Sequence, residues 1–509
     1  RRNMVPVISA SWDTAGMWLN AKFILVFLCV TVLLVKYLRA NRAQNTPPGP
    51  CPLPVIGNLL SLSFRDPVGS FTKVFERYGD VSMLYLGNQP CILLSGYKSF
   101  KEAFVEKADI FADRAHYPLN DRLSRGLGLI SSSGRKWAQH RRFTLAVLKD
   151  FGMGKQSLEH SILQENRYLC EALLAHRGQV MADTSLGIPV RPVPRPCFSM
   201  VLGLQFALPA GHFAMSPVHL GTCFNFSGLP FDLDHVVTNA LANIICSLVV
   251  GRRFDYDDRH FRRILLYFDD VVQLPANIWG QCKDIQAQFT EENLLCCVVD
   301  LFAAGTETTS NNLLWSMLYM ATYPTVQESV HAEIDQVIGW RHEPSMADRA
   351  LMPYTYAVVH EVLRSANALN ITPPRVTNRD PILAGYFIPK GVTMFPLLTP
   401  IIQDRKEFRT PDQFNPGHFL DENGKFLKKE RFIPFSIGKW SGMVSVVHVC
   451  VSGKRTCPGE QMVQMELFLF FTCLMRFSFH PPDGQNLDLA GTVGITTANK
   501  PFHIRALPR

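Results

Sequence analysis

A long apolar stretch in the middle of the chain constrains the fold more than any other feature. From Thr290 to Pro324 the sequence reads TEENLLCCVVDLFAAGTETTSNNLLWSMLYMATYP. Apolar residues recur at helical spacing on both sides of a short polar segment, which predicts one long, mostly buried helix. A chain of 509 residues that is 47% hydrophobic and 18% charged can bury a large core and is globular rather than disordered. The apolar positions are Leu294, Val298, Leu301, Phe302, Leu313, Leu314 and Leu318.

The polar segment AGTETTSNN interrupts this pattern. Gly305 in a helix interior costs about 1 kcal/mol relative to alanine, and consecutive hydroxyls can bond to preceding carbonyls, so we expect a distorted turn. Glu307 and Thr308 would then place an acid and an alcohol beside a gap left by small residues, which suits binding a small ligand and passing protons to it. The alternative is an exposed polar face; the apolar flanks and the nearby Trp315 favour the functional interpretation.

A second candidate is Cys457, in the segment KRTCPGEQM from Lys454 to Met462. The following run VQMELFLFFTCLMRFSF predicts a helix, so the cysteine would stand just ahead of a helix N-terminus, with Pro458 near the first turn. The helix dipole, Lys454 and Arg455 would each lower the thiol pKa and favour a thiolate that can bind a metal. The alternative is a small buried residue that caps a core helix.

The N-terminal region predicts a membrane anchor. Residues 23–35, FILVFLCVTVLLV, are continuously apolar, and the basic residues that follow, with TPPGPCPLPVIGN, predict a stop-transfer segment and a stiff linker. We expect a leader at 1–16, a transmembrane anchor at 17–38, a basic, proline-rich linker at 39–54 and one large domain at 55–509. A cleaved signal peptide and a buried core helix are the alternatives.

Cysteine usage and charge narrow the setting. Thirteen cysteines without regular spacing or a CxxC pair indicate reduced thiols rather than a disulfide framework or a zinc site. The excess of 51 Lys+Arg over 43 Asp+Glu is too mild for a nucleic-acid-binding protein, but it suits an anionic membrane or an acidic partner.

Two further pairs are weak signals on their own. Glu361 and Arg364 in YAVVHEVLRSA are spaced i, i+3 on a predicted helix and can form an ion pair. Trp137 and Arg141 in GRKWAQHRRF are spaced i, i+4, so that an indole N–H and a guanidinium can face the same anion.

Together these segments resemble the cytochrome P450 monooxygenases, and the details resemble the microsomal family-2 type. The ordered motifs are Trp137 with Arg141, AGTETT, EVLR, NPGHF and RTCPG, with FADR, GYFIPKG and PPGP as additional similarities. The resemblance implies a mainly α fold with small β-sheets, the cytochrome P450 fold, with an N-terminal transmembrane helix. It also implies a haem b cofactor (iron protoporphyrin IX).

The resemblance implies a role for each candidate residue. Cys457 would be the axial thiolate ligand of the haem iron. Small residues above the iron would leave room for dioxygen, and the neighbouring acid and alcohol would deliver protons. The haem propionates would be held by Trp137, Arg141 and Arg455, with Arg114 and Arg375 as helpers. The dioxygen and proton positions would be Ala304, Gly305, Glu307 and Thr308, and the structural network behind the haem would be Glu361, Arg364 and His418.

The implied reaction is the insertion of one oxygen atom from O2 into a lipophilic substrate: a fatty acid, a steroid or a xenobiotic. Electrons from NADPH would arrive through NADPH-cytochrome P450 reductase, with cytochrome b5 as a second partner. The protein would lie in the endoplasmic reticulum membrane, in preference to a mitochondrial one, in contact with membrane lipid and with its catalytic domain facing the cytosol.

Two segments depart from the family pattern. Residues 440–454 split the cysteine loop between FSIGK and RTCPG, as a retained intron would, and 180–228 reads as a proline-rich loop. Cys450, inside the first insert, is the rival ligand, and residues 254–300 are shorter than the substrate roof of the family requires. A catalytically impaired haem-binding isoform and an anchored protein that binds no haem are therefore the alternative functions.

Overall fold

The structure is a computed structural model. It describes residues 23–32, 45–63, 66–115, 124–150, 152–153, 156–175, 231–249, 251–263, 265, 290–339, 342–437, 454–493 and 496–509. Helices dominate this part of the chain, and the strands form small sheets. The predicted mainly α fold with small sheets is confirmed.

The α-helices and the β-strands are numbered separately, each in chain order. The α-helices are α1 (Pro67–Tyr78), α2 (Tyr97–Lys101), α3 (Gly134–Asp150), α4 (Gln156–Ala175), α5 (Asp234–Val249), α6 (Glu291–Thr322), α7 (Pro324–Val337), α8 (Pro353–Ala366), α9 (Thr399–Ile402) and α10 (Glu460–Leu474). The strands are β1 (Val81–Leu86), β2 (Gln89–Leu94), β3 (Asp113–Arg114), β4 (Arg375–Val376), β5 (Ile382–Leu383), β6 (Tyr386–Phe387), β7 (Thr393–Pro396), β8 (Phe477–His480), β9 (Gly491–Val493), β10 (Thr497–Asn499) and β11 (Arg505–Pro508).

The predicted long central helix is α6. Its N-cap is Thr290, whose side chain accepts a hydrogen bond from the Asn293 N–H at 3.1 Å. The expected distorted turn is wrong as an interruption of the helix, because α6 continues as α-helix through Gly305. A single glycine costs only about 1 kcal/mol in a helix, which is less than the burial of the apolar flanks contributes.

The main core surrounds the second half of α6. Every residue from Thr309 to Ala321 is buried, and α5, α7, α8 and α10 pack against this helix. Full burial of one large apolar side chain contributes about 1.5–3 kcal/mol. Trp315 on α6 and Phe468 on α10 are among the fully buried large side chains.

A five-stranded sheet lies apart from the helical core. Its order is β1-β2-β7-β4-β3, with β2 and β7 parallel and the other neighbours antiparallel. In the β3–β4 pairing, Arg114 stands opposite Arg375. The remaining strands form two-stranded sheets: β5 with β6, β8 with β11, and β9 with β10.

Residues 23–32 of the expected anchor are helical, and the apolar side chains of this segment are largely exposed. Within the ranges given above, no helix is both long enough and apolar enough to cross a membrane. The rest of the expected anchor lies outside the described residues, as does 180–228 and all of 440–454 except Lys454. Each cysteine that the structure describes is a free thiol.

Candidate functional site

Cys457 lies in the turn that leads into α10. The helix begins at Glu460 with Gly459 as its N-cap, and the Cys457 N–H donates to Phe435 O at 3.2 Å. The helix predicted after the cysteine is therefore confirmed. The thiol stands beside a helix N-terminus, where backbone N–H groups have no partner within the helix.

The surroundings of this thiol act on its pKa in opposite directions. Burial is the largest cause and raises the Cys457 pKa above its ordinary value. The Gly459 N–H lowers this pKa through a hydrogen bond, the Glu460 carboxylate raises it, and the Arg141 guanidinium lowers it. The net direction is upward, so the protein by itself favours the neutral thiol. A cation bound at the sulfur would favour the thiolate instead.

The expectation that Lys454 and Arg455 lower the Cys457 pKa is wrong. Lys454 forms an ion pair with Asp109, far away in the sequence. Arg455 donates from Nε to Ala112 O at 2.8 Å, and the charge that lowers the Cys457 pKa is that of Arg141. Both cations are adjacent to the cysteine in sequence, but the fold uses them elsewhere.

Trp137 and Arg141 bring α3 to the cysteine loop. Arg141 Nη2 donates to Thr456 O at 2.5 Å. The Trp137 ring centroid lies 3.8 Å from Cζ of Arg455 and 5.7 Å from Cζ of Arg141, so that one indole contacts two guanidinium groups. Both members of the predicted i, i+4 pair on α3 therefore contact the cysteine loop, Arg141 through Thr456 and Trp137 through Arg455.

Arg114 and Arg375 extend this collection of cations. Arg114 donates from Nε to Ile130 O at 2.8 Å and from Nη1 to Pro373 O at 2.7 Å. Arg375 is 4% exposed, and its Nε has no hydrogen-bond partner within the described residues. Cζ of Arg375 lies 5.0 Å from the ring centroid of Phe104.

Four arginines lie close together here and form what we call the arginine group: Arg114, Arg141, Arg375 and Arg455. Burial, followed by the charges of the other three members, holds the pKa of Arg375 well below its ordinary value. Burial and two members of the group lower the pKa of Arg455 to about 8, which Asp113 partly opposes. Burial and Arg141 lower the pKa of Arg114 to about 10, which Asp300 partly opposes. Arg375 and Arg455 are buried and Arg114 and Arg141 are half-buried, so the group carries more positive charge than the nearby carboxylates balance and is suited to an anionic ligand.

The polar segment of α6 provides the predicted acid and alcohol. Thr308 Oγ1 donates to Ala304 O at 2.6 Å, one turn earlier, as expected for a helical hydroxyl. Ala304 is exposed although most of the second half of α6 is buried. Glu307 Oε1 accepts a hydrogen bond of 2.6 Å from the Thr496 hydroxyl. The Thr306 hydroxyl is buried without a hydrogen-bond partner in the described part of the chain.

Gly305 brings α6 close to two other helices. A Cβ at this position would lie 2.6 Å from Cδ1 of Ile245 on α5 and 3.8 Å from Cε of Met462 on α10. The missing side chain therefore permits close helix packing. The contact with Met462, five residues after Cys457, places this turn of α6 next to the start of α10.

Glu361, Arg364 and His418 form the predicted network. Arg364 donates from Nε to Glu361 Oε2 at 2.8 Å and from Nη2 to Glu361 Oε1 at 2.6 Å, with both side chains fully buried. His418 Nδ1 lies 3.2 Å from the same carboxylate. Arg364 also donates to Pro411 O and Gln413 O. The predicted Glu361–Arg364 pair is confirmed, and all its charge is matched.

Two residues near the polar segment were not predicted. Glu466 on α10 is 1% exposed, and its Oε2 accepts a hydrogen bond of 3.3 Å from the Thr309 hydroxyl. Burial raises its pKa to about 8. Its signal in the sequence is a lone acid within the apolar run VQMELFLFF. Thr496 has no such signal, because its contact with Glu307 joins residues 189 positions apart.

Comparisons with known proteins identify the relatives of this chain. The family model for Cytochrome P450 matches residues 47–188, 276–441 and 451–506. The chain is 35% identical to cytochrome P450 2J1 of Oryctolagus cuniculus, over 99% of this chain and 100% of that protein. It is 34% identical to cytochrome P450 2J2 of Homo sapiens, over 97% and 98% of the two chains. It is also 32% identical to cytochrome P450 2H1 of Gallus gallus, over 97% and 100%.

Proposed function

Because this chain belongs to the cytochrome P450 family, we propose that Cys457 is the ligand of its haem iron. The family binds haem b through a cysteine thiolate, and the protein is a haem-thiolate monooxygenase that acts on lipophilic substrates. When bound, the haem supplies the oxygen chemistry: one atom of O2 enters the substrate and the other leaves as water, with two electrons and two protons consumed.

The observation that carries the assignment is the charge of the arginine group. Haem b has two propionate carboxylates, and buried guanidinium groups that repel one another favour such an anion strongly. We propose that the arginine group and Trp137 hold the propionates, and that Arg375 Nε gains the hydrogen bond it lacks. Cys457, joined to this group through Thr456 and Arg141, then supplies the soft anionic sulfur.

On α6, we propose that Ala304 and Gly305 leave room for dioxygen and that Glu307 and Thr308 deliver protons. The exposed position of Ala304 supports this arrangement, and the glycine at 305 contributes by bringing this turn of α6 close to Met462 at the start of α10. The Thr308 hydroxyl donates to Ala304 O, so its oxygen is left to accept a hydrogen bond from a neighbouring group. Glu307 can exchange protons through the carboxylate oxygen that Thr496 does not bind.

The spectrum of the reduced, CO-treated protein tests the ligand assignment. Cys457→Ser should abolish the thiolate-type Soret band, because serine is nearly the same size but cannot present a thiolate sulfur. Cys450→Ser, in the insert, is the matched control and should keep the band. If Cys450→Ser abolishes the band and Cys457→Ser keeps it, Cys450 is the ligand. If both variants keep the band, neither cysteine is the ligand.

Thr308→Ala tests the proton-delivery proposal. The variant should bind haem and substrate as the wild type does but release hydrogen peroxide in place of product, because the pocket is kept and a hydroxyl is lost. The measurement is the ratio of product and of peroxide to NADPH consumed, and a several-fold fall in product per NADPH is expected. Ser310→Ala, which removes a buried hydroxyl two positions later on α6 that donates to Glu307 O at 3.1 Å, is the control. An unchanged ratio in Thr308→Ala contradicts the proposal.

We also propose that residues 17–38 anchor the chain in the endoplasmic reticulum membrane, with the catalytic domain in the cytosol. The exposed apolar helix at residues 23–32 supports this, since such a surface is unfavourable in water. Retention of the full-length chain in alkali-washed microsomes, and its release on deletion of residues 1–38, is the expected result. Release of the intact chain would contradict an anchor.

NADPH-cytochrome P450 reductase and cytochrome b5 remain proposed electron donors that dock on basic residues near the cysteine loop. Several of these cations are neutralised within the fold: Lys429 pairs with Glu407, and Arg431 with Asp404. Lys425 and Lys428 stay exposed. The attractive field is therefore smaller than the number of basic residues would give, and the rate of haem reduction should fall only moderately as salt is raised.

The two departures from the family pattern are proposed to be inserts at 180–228 and 440–454. The gaps in the family match, 189–275 and 442–450, support this division of the domain at 55–509. Deletion of 440–454 restores FSIGKRTCPG and should leave the CO spectrum unchanged. A changed spectrum would make the segment part of the haem site.

A further inference from the structure

The β9–β10 hairpin is fixed against α6 near the proposed proton-delivery residues. Trp315 Nε1 on α6 donates to Thr497 O at 3.3 Å, and the Thr497 N–H donates to Ala368 O at 2.7 Å. A Cβ at Gly491 would lie 3.3 Å from Cζ2 of Trp315, so the glycine lets the hairpin approach the helix closely. The hairpin and this part of α6 are therefore held in one fixed arrangement.

Thr496, immediately before β10, contacts the polar segment of α6 from this hairpin. Its side chain is buried, and its hydroxyl donates to Glu307 Oε1 at 2.6 Å. The same hydroxyl accepts a hydrogen bond of 3.5 Å from Asn311 Nδ2. Glu307 and Asn311 are four residues apart and share a face of α6, so Thr496 contacts both at once.

These contacts determine how the Glu307 carboxyl can carry a proton. A hydroxyl has one hydrogen, and the Asn311 amide nitrogen can only donate, so the Thr496 hydrogen points to Glu307 Oε1. Oε1 then already accepts one hydrogen bond, whereas Oε2 accepts none from the described residues, so Oε2 is the oxygen more available to bind a proton. The hydrogen bond also restricts rotation of a side chain that otherwise has several rotamers.

We propose that Thr496 is a positioning residue, which orients Glu307 so that Oε2 is the oxygen that exchanges protons during the reaction. This inference rests on the proposed role of Glu307 in proton delivery. It gives the β9–β10 hairpin an influence on the amount of product formed per NADPH consumed. This influence acts through the Thr496 hydroxyl, whose described hydrogen bonds are to Glu307 and Asn311.

A double-mutant cycle tests the contact without relying on catalysis. Thr496→Val removes the hydroxyl and keeps the shape, and Glu307→Ala removes its acceptor. Thermal unfolding of the full-length holoprotein should show that Thr496→Val lowers the midpoint in the wild-type background and lowers it much less when Glu307 is already alanine. Equal shifts in both backgrounds would overturn the contact.

The catalytic part of the test measures hydrogen peroxide and product per NADPH consumed. Thr496→Val should raise the peroxide fraction several-fold with little change in KM, and Thr496→Ser, which keeps the hydroxyl, should restore the wild-type ratio. Thr497→Val is the matched control, since its hydroxyl bonds to Asn370 in the same hairpin, and it should leave the ratio unchanged.

The other outcomes are decisive as well. If Thr497→Val uncouples as much as Thr496→Val, or if Thr496→Ser gives no rescue, the effect comes from hairpin integrity and the inference is wrong. If Glu307→Gln uncouples and Thr496→Val does not, the positioning role alone fails. If Glu307→Gln itself leaves the ratio unchanged, the proposed role of Glu307 fails and this inference fails with it.

Discussion

Two buried arginines of this protein differ in whether the chain itself supplies partners for their charge. Arg364 is fully buried and makes a bidentate pair with Glu361, and its remaining donors bond to backbone carbonyls. Arg375 is almost as deeply buried, yet its Nε has no partner in the described structure, and its neighbours include three other arginines. The first charge is satisfied by the chain itself, whereas the second is not.

The difference separates structural charge from ligand-binding charge. Removing an ion from water costs several kcal/mol, which only a well-placed counter-ion and hydrogen bonds offset. The Glu361–Arg364–His418 network supplies both from within the fold, so it needs no ligand. The arginine group lacks sufficient counter-charge, so a bound dianion improves its energy. An excess of buried charge of one sign therefore supports the proposed cofactor site more directly than burial or polarity alone.

The largest effect is expected from breaking the satisfied network. Glu361→Gln places an NH2 donor against the Arg364 guanidinium and removes its counter-charge, so the free energy of unfolding should fall by about 3–5 kcal/mol. Chemical denaturation measures this change. Asp412→Asn breaks the exposed pair with Arg405 and should cost about 0–1 kcal/mol. Similar losses of unfolding free energy in the two variants would show that the buried network stabilises the fold no more than an exposed ion pair does.

Removing charge from the unsatisfied group should have a smaller effect of opposite sign. Arg375→Met fills the site with an apolar chain of similar length, so the haem-depleted protein should become more stable by about 1–3 kcal/mol. The same variant should lose haem to an excess of apomyoglobin about tenfold faster, because one propionate partner is gone. If the haem-depleted variant is less stable than the haem-depleted wild type, Arg375 is satisfied by the chain and the comparison fails.

Glu466 offers the test with the smallest expected effect. It is buried, no cation of the described residues pairs with it, and burial favours its neutral form. Its pKa is about 8 in the folded protein against an ordinary value of 4.5. Between pH 4.5 and 8, Glu466 is therefore protonated in the folded state and ionised in the unfolded chain. The contribution of this group to the free energy of unfolding is complete below pH 4.5 and is lost as the pH rises toward 8. The slope is at most about 1.4 kcal/mol per pH unit.

Glu466→Gln removes this titration and keeps an acceptor for the Thr309 hydroxyl. Between pH 6 and 8, the difference in the free energy of unfolding between the variant and the wild type should grow in favour of the variant. Glu422→Gln, an exposed acid for comparison, should give a difference that does not change with pH. A constant difference for Glu466→Gln would show that its carboxyl is already ionised at pH 6.

The sequence by itself determined the features that depend on short spacings. Apolar periodicity predicted α6 and α10, the i, i+3 spacing predicted the Glu361–Arg364 pair, and the i, i+4 spacing placed Trp137 and Arg141 on one face. Such features follow from helix geometry, which needs only residues within a turn or two. The ordered motifs also predicted the family, which the comparisons confirmed. The expected break at Gly305 was wrong, because packing along the whole helix outweighs one weak residue.

Only the tertiary structure decided where the charges go. Sequence neighbours predicted that Lys454 and Arg455 lower the Cys457 pKa, but the first pairs with Asp109 and the second turns to backbone carbonyls. The β3–β4 pairing, not any local spacing, placed Arg114 opposite Arg375. The bonds of Thr496 to Glu307 and of Thr309 to Glu466 likewise join distant segments. Burial and charge balance depend on which segments meet after long loops close, and no local pattern encodes that.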